Sequence, residues 1–361
     1  MCRAVLSLPV LRSLCLSLLG LLPLQTQAQA QTQAQAQAFE IEAHVRFDSA
    51  MEQAELRLLS VTDLSAFEPL IRDYQMRNPT VSVDYTQVSS RELYKAVAAQ
   101  EVAFDVAISF AMDLQMKLAN DGLAQDHQSR TSRAAPAWSR WRHEVFGFTA
   151  EPIVAVTSER GFEGLPLPRT RQELIALMRD HPDRFSGKVG IYDIRTVGTG
   201  YLLGTQDANR SEAYWRLAEV MGALDPQLYC CSSEMLDDIG TGELHLAYNV
   251  LESYAKSRLD QQGGGQILRL QDFTHVVMRS ALIPANAQSP ELAGSFVDYL
   301  LSAEGQSKIA SETAFPPLSS YDAASGGPLR PIRFGVTLLA NLDRLMRDRF
   351  IAAWEGALRL N

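Results

Sequence analysis

The 361-residue sequence predicts an α/β fold in two lobes, each a mixed sheet flanked by helices and joined to the other by crossing strands. Three observations carry this reading. From Glu55 onward, short apolar runs alternate with segments of helical period, the order expected of βα units whose sheets are covered on both faces. The length corresponds to about two domains at ~150 residues each. Between two such series lies an extended run, residues 146–156, placed where a strand would pass from one lobe to the other.

Taken in order, residues 55–60 (ELRLLS) read as the first strand. Residues 65–76 follow as a helix with Phe67, Leu70, Ile71 and Tyr74 on one face, Ser65 and Glu68 at capping-box spacing and Pro69 in the first turn. Residues 81–85 (VSVDY) alternate like a strand, 90–100 read as a helix, and 104–108 (FDVAI) as a third strand. A helix from Ala111 ends at Gly122. After a long connection, 124–144, come the crossing run and a helix capped by Thr170 with Glu173. Residues 188–194 read as a strand, Val197-Gly198-Thr199-Gly200 as a turn opening a helix, and 211–221 as an amphipathic helix. A short helix at 233–239, a strand at 244–250 and a helix from Glu252 complete the second series. Residues 275–283 read as the return strand, Ser289-Pro290 as a helix start, and 338–358 as one terminal helix burying Leu338, Leu342, Leu345, Trp354 and Leu358.

The N-terminal segment reads as an export signal. Arg3 precedes an apolar stretch whose cleanest part, 14–24, is 11 residues, the size of a secretory core and shorter than the ~20 residues of a membrane span. Small residues at alternate positions follow, so cleavage is expected near Ala28 or Ala30, and the product is expected in the periplasm. The domain layout expected is therefore a signal peptide (1–28), a flexible Gln/Ala-rich tether (29–49), lobe 1 (50–150 with the return 275–330), lobe 2 (151–274) and a C-terminal amphipathic helix (331–361). Cleavage would remove Cys2 and Cys15 and leave the neighbours Cys230 and Cys231, as a strained vicinal ring, as free thiols, or as small residues in a turn.

Composition excludes several functions. With 33 basic and 42 acidic side chains the formal charge is −9, the wrong sign for holding nucleic acid or an anionic membrane. Four cysteines in a chain of this length are not a disulfide scaffold. The six histidines are scattered without H-E-x-x-H spacing, and G-x-S-x-G is absent, so the motifs of the common metallo- and serine hydrolases are missing. No enzyme and no cofactor is expected, and nothing in the sequence suggests more than a monomer.

The order of pieces resembles the extracellular solute-binding proteins of ABC importers, in the type II periplasmic-binding-protein group near the ferric-iron, sugar-phosphate and phosphoglycerate-responsive binders. The resemblance rests on LSVTDLSAFEPLIRDYQ, FDVAISFAMDLQMKLANDG, KVGIYDIRTVGTGYL, GTGELHLAYNVLESYA, the stretch from Ser289 through Gln306, and Phe315-Pro316-Pro317. It implies a hinged clamp that captures a small-molecule ligand between its lobes without altering it. It also implies delivery to an inner-membrane permease, or signalling to a membrane sensor kinase. A ferric-iron carrier is a further alternative, weakened because Tyr248 is followed by Asn249 rather than by the second tyrosine of the ferric binders.

Ligands of open α/β sheets sit beyond the carboxyl ends of strands, where helix starts present free N–H groups. Candidates at such junctions are Thr62, Asp63 and Ser65; Ser109 and Phe110; and Gly198, Thr199, Gly200 and Tyr201, with Arg195 three residues before the first glycine. Glycines let the backbone approach a ligand, and the following helix contributes roughly half a positive charge, so an organic or phosphorylated anion is the expected guest. Arg91 beside Ser89 and Ser90, Ser232 beside Tyr229 and Ser233, and Tyr248 with Asn249, at a strand end where the resemblance implies ligand contacts, complete the candidates.

Overall fold

The computed structural model describes residues 39–321 and 327–360. The expected signal peptide and the first part of the tether lie outside the described residues. The strands in chain order are β1 (Ala43–Phe47), β2 (Ala54–Ser60), β3 (Val81–Gln87), β4 (Val106–Ser109), β5 (Arg140–Trp141), β6 (Val145–Gly147), β7 (Glu151–Ser158), β8 (Val189–Tyr192), β9 (Gln227–Tyr229), β10 (Leu246–Leu251), β11 (Gly265–Leu268), β12 (Thr274–Val277), β13 (Ser280–Leu282) and β14 (Leu329–Pro331). They form two sheets, one ordered β1-β3-β2-β4-β13-β6-β5 and the other β14-β12-β7-β10-β8-β9, with β11 also paired to β7. This is the expected mixed α/β architecture. The parallel pairs β2–β3 and β2–β4 in the first sheet, and β10–β8 and β8–β9 in the second, are the βα units read from the alternating pattern.

In the first lobe, Leu56, Leu58, Val83 and Ile108 of the sheet pack against Phe67, Leu70 and Tyr74 of the helix Leu64–Arg77 and against Phe296 and Tyr299 of the helix Pro290–Leu301. In the second, Leu217 and Met221 of the helix Ala213–Ala223 receive Trp354 and Leu358 of the helix Arg344–Leu358. A Cβ on Gly222 would stand 2.4 Å from the Ala357 carbonyl oxygen, so the glycine allows the two helix backbones to meet.

Several expectations are corrected. The tether does not run to residue 49: residues 43–47 (AHVRF) pair antiparallel with β3 and extend the first sheet. The return run is two strands, not one. β12 belongs to the second sheet and β13 to the first, so the chain crosses back near Arg279, and β14 also joins the second sheet beside β12. The C-terminal segment is two helices, Val336–Ala340 and Arg344–Leu358, and Leu345 is exposed because nine residues of helix place it on the face opposite Trp354. Ser65 does not cap its helix. Asp63 takes the N-cap position without a side-chain cap bond, and the Gln87 side chain instead accepts from the Leu64 N–H at 3.0 Å. Ser289 makes no capping bond, whereas Thr170 accepts from the Glu173 N–H as the spacing predicts.

Both crossing segments lie side by side. The Phe148 N–H donates to the Arg279 carbonyl at 2.9 Å, and the Arg279 N–H donates to Thr149 Oγ1 at 2.8 Å.

Asp207, fully buried in the helix Gly198–Arg210, anchors the second lobe. Arg171 Nη2 lies 3.1 Å and His275 Nε2 3.3 Å from its Oδ1, while Tyr248 Oη at 2.8 Å and Asn249 Nδ2 at 2.9 Å donate to its Oδ2. Burial would raise its pKa, but the Arg171 charge and these partners outweigh burial and hold the carboxyl well below the usual carboxylate range. Removing one partner of such a buried pair leaves the other charge uncompensated. Asp207→Ala should therefore lower the unfolding free energy by about 3–5 kcal/mol at neutral pH in urea titrations. A loss under ~1 kcal/mol would contradict this role.

Candidate functional site

Four helix starts converge on one cleft of about 670 Å³. Asp63 precedes the helix Leu64–Arg77, and Ser89 caps the helix Ser90–Ala99 by accepting from the Glu92 N–H. Across from them, Val197 and Thr199 begin the helix Gly198–Arg210, and Cys231, Ser232 and Ser233 begin the helix Ser232–Thr241. The first turn of a helix has N–H groups without intrahelical acceptors, which makes helix starts natural donor sites, although here the Leu64 N–H is taken by Gln87 Oε1 and the Glu92 N–H by Ser89 Oγ. Phe110, Tyr192 and Tyr254 add aromatic wall.

Beneath this wall lies Arg279, fully buried, with Nη1 2.6 Å from Thr62 Oγ1 and Nε 2.8 Å from Glu151 Oε1. Its guanidinium carbon is 5.1 Å from the Phe110 ring centre and 5.4 Å from that of Tyr254. The lobes touch across the cleft, where Ser233 Oγ donates to Asp63 Oδ2 at 3.2 Å and the Asp63 N–H to Tyr254 Oη at 3.3 Å.

Thr199 is 2 % exposed, yet its hydroxyl has no partner among the described residues. A Cβ on Gly200 would stand 2.5 Å from Tyr192 Cβ, so that glycine is required by close approach, and one on Gly198 would press on the Ser90 hydroxyl at 2.9 Å. The cleft is also acidic. Glu40, Glu42, Asp63, Glu92 and Glu234 line it, against Arg91 as its single basic residue among the described residues. Burial, reinforced by the charges of Asp63, Glu40 and Glu234, raises the Glu42 carboxyl above its ordinary pKa. A smaller pocket of about 230 Å³ adjoins, sharing Arg91, Thr196 and Val197, and carries Lys117, Arg347, Asp113, Gly198 and Tyr201.

Of the candidates read from the sequence, Asp63, Arg91, Phe110, Thr199 and Ser232 line the cleft, and Gly198 and Tyr201 line the adjoining pocket. The others do not. Thr62 is turned inward to Arg279, and Ser109 Oγ accepts from the Ala111 N–H. Ser65 is exposed outside the lining, and Gly200 packs against Tyr192. Arg195 is held by Asp193 at 2.8 and 2.7 Å and does not line the cleft. Tyr248 and Asn249 serve the Asp207 network. Sequence reasoning missed Tyr192, Tyr254, Glu42 and Glu234. Tyr192 had a readable signal, since it ends the strand that leads, through residues 193–197, to the helix start at Gly198.

The family of bacterial extracellular solute-binding proteins matches residues 64–312. The chain belongs to that family. The solute-binding protein is similar to the substrate-binding protein of an ABC transporter from Agrobacterium tumefaciens, at 30% identity and TM-score 0.84 over 88% of this chain and 98% of that one. At 14% identity and TM-score 0.70 it shares its fold with the periplasmic binding protein AfuA from Actinobacillus pleuropneumoniae, solved with fructose-6-phosphate bound, over 86% of this chain and all of the other. Iron-bound HitA from Pseudomonas aeruginosa shares it at 17% identity and TM-score 0.63, over 84% of this chain and 99% of that one. A search of curated protein sequences finds no match.

Asp113 gives this region a pH dependence. It is 2 % exposed, and burial pushes its carboxyl up to about 7. Its unfolded value is ~3.9, so the folded state binds the extra proton between those values and stability falls as pH rises from about 4 to 7. Asp113→Asn removes this titration. The variant should exceed the wild type by a few kcal/mol at about pH 8 and match it near about pH 4 in urea unfolding. A pH-independent difference would contradict the buried titration.

Proposed function

We propose that the solute-binding protein is the capture component of an ABC-type importer. It closes its lobes on a small polar solute and delivers it, unaltered, to a permease in the inner membrane. The observation that carries this reading is the Thr199 hydroxyl, buried and unpartnered on the wall of a cleft where four helix starts converge. Buried polar groups normally find partners, so a hydroxyl left without one suits a guest that supplies it.

The lining refines the guest. A carboxylate or phosphoryl group suits the start of the helix Gly198–Arg210, beside Ser90, Arg91 and the adjoining pocket with Arg347 and Lys117. A solute that is negative throughout would meet the five carboxylates of the cleft. The reading favoured is an oxyanion that also carries hydroxyl or ammonium groups, with its second end toward Glu42, Asp63 and Glu234. Ferric iron is less well served. Tyr254 and Tyr192 are the tyrosines of the cleft, and burial pushes Tyr254 up to about 12 and raises Tyr192, which disfavours the phenolates that hard Fe³⁺ requires.

A thermal-shift panel of orthophosphate, sugar phosphates, amino acids, aminophosphonates and Fe³⁺ tests this, because a ligand that binds only the folded state raises Tm. Oxyanions bearing a hydroxyl or ammonium group should give the largest shifts, and Thr199→Val should weaken the best of them about tenfold, the value of one hydrogen bond. Equal stabilisation by compounds without an anionic group, or unchanged affinity in Thr199→Val, would count against it. Gly198→Val places a side chain against Ser90 and Leu114 of the opposite lobe. It should weaken binding of the same solute by at least about tenfold while each lobe keeps its fold by circular dichroism. Undiminished affinity would show that closure does not bring these surfaces together.

A further inference from the structure

We propose that Cys230, Cys231 and Glu234 form a binding site for a thiophilic divalent cation in the wall of the cleft. The inference goes beyond solute capture and does not depend on it. One donor atom from each of the three residues lies within 4.8 Å of the other two. Both cysteines are free, Cys230 exposed and Cys231 partly so, and all three residues line the cleft. Cys231 is the N-cap of the helix Ser232–Thr241 and Glu234 lies in its first turn, so three-residue spacing puts the thiol and carboxylate on one face.

Among the described residues neither cysteine belongs to an apolar cluster. Two sulfurs and a carboxylate oxygen are the donor set of a borderline-soft dication such as Zn²⁺ or Cd²⁺. Glu42 and Asp63 line the same cleft, and their negative field attracts a cation to it. On binding, each thiol gives its proton to solvent as a sulfur–metal bond forms, with no change of oxidation state. Three protein donors leave one position of a tetrahedral shell to water or to a solute.

The test is titration of the full chain, reduced with a phosphine and freed of metal, with Zn²⁺ by calorimetry and with Cd²⁺ by its sulfur-to-metal absorption band. One ion per chain with the sulfur band is expected. The paired change Cys230→Ser with Cys231→Ser should abolish the band and weaken binding at least about a hundredfold, and Glu234→Gln should weaken it about tenfold. Circular dichroism and Tm confirm that each variant is folded. Wild-type protein oxidised to the vicinal disulfide should lose the ion. Absence of the sulfur band in the reduced wild type, equal affinity in the double serine variant, or undiminished binding after oxidation would each overturn the proposal.

Discussion

A single buried ion pair sets the junction from which everything else follows. Arg279 and Glu151 are both fully excluded from solvent where the two chain crossings run side by side. Desolvating two charges is expensive, and the expense is offset only when every remaining donor and acceptor is satisfied in good geometry. The surroundings meet most of that demand, although the guanidinium Nε, close as it is to Glu151 Oε1, lacks a well-aligned hydrogen bond. Glu151 also accepts from Thr149 Oγ1 at 2.9 Å and Ser253 Oγ at 2.5 Å, while the guanidinium reaches Thr62 and lies 4.1 Å from the Phe315 ring centre. These partners come from both lobes, so the pair joins the end of β2 to the start of β7 and to the helix Glu252–Gln262.

From that junction the cleft inherits its form. Phe110 and Tyr254, which pack over the guanidinium, are also cleft wall, so the floor of the cleft is the roof of the ion pair. Above it the surface is divided electrically. Helix starts and the adjoining Arg347 and Lys117 favour negative charge, while Glu40, Glu42 and Glu234 favour positive charge or hydroxyls. Such a surface would orient the proposed guest as well as hold it. It also makes an acidic protein compatible with the proposed oxyanion, since local donors act at contact distance whereas the net charge is screened beyond ~10 Å.

The sheets and most helices were legible because their signals are local. Period-two runs such as VSVDY and helical stripes such as Phe67, Leu70 and Tyr74 need no knowledge of distant residues. Thr199 was legible for the same reason, at a glycine-flanked turn between a strand and a helix. Arg279 was not. It sits in an apolar run that reads as one strand, and its partner lies 128 residues away. The run breaks there because a buried guanidinium turns toward Glu151. Tyr248 and Asn249 failed similarly, since their position at a strand end suits a ligand, yet Asp207, invisible in the middle of a helix, claims both side chains. Glu42 fell within a tract read as tether because a five-residue edge strand carries little periodicity.

A double-mutant cycle on the junction tests this account most directly. Arg279→Met, Glu151→Gln and the double variant would be compared with the wild type by urea unfolding. Each single change should cost about 3–5 kcal/mol, because it strands a buried partner, and the double change should cost no more than the worse single one. Costs that simply add would contradict the claim that these two charges act as one unit.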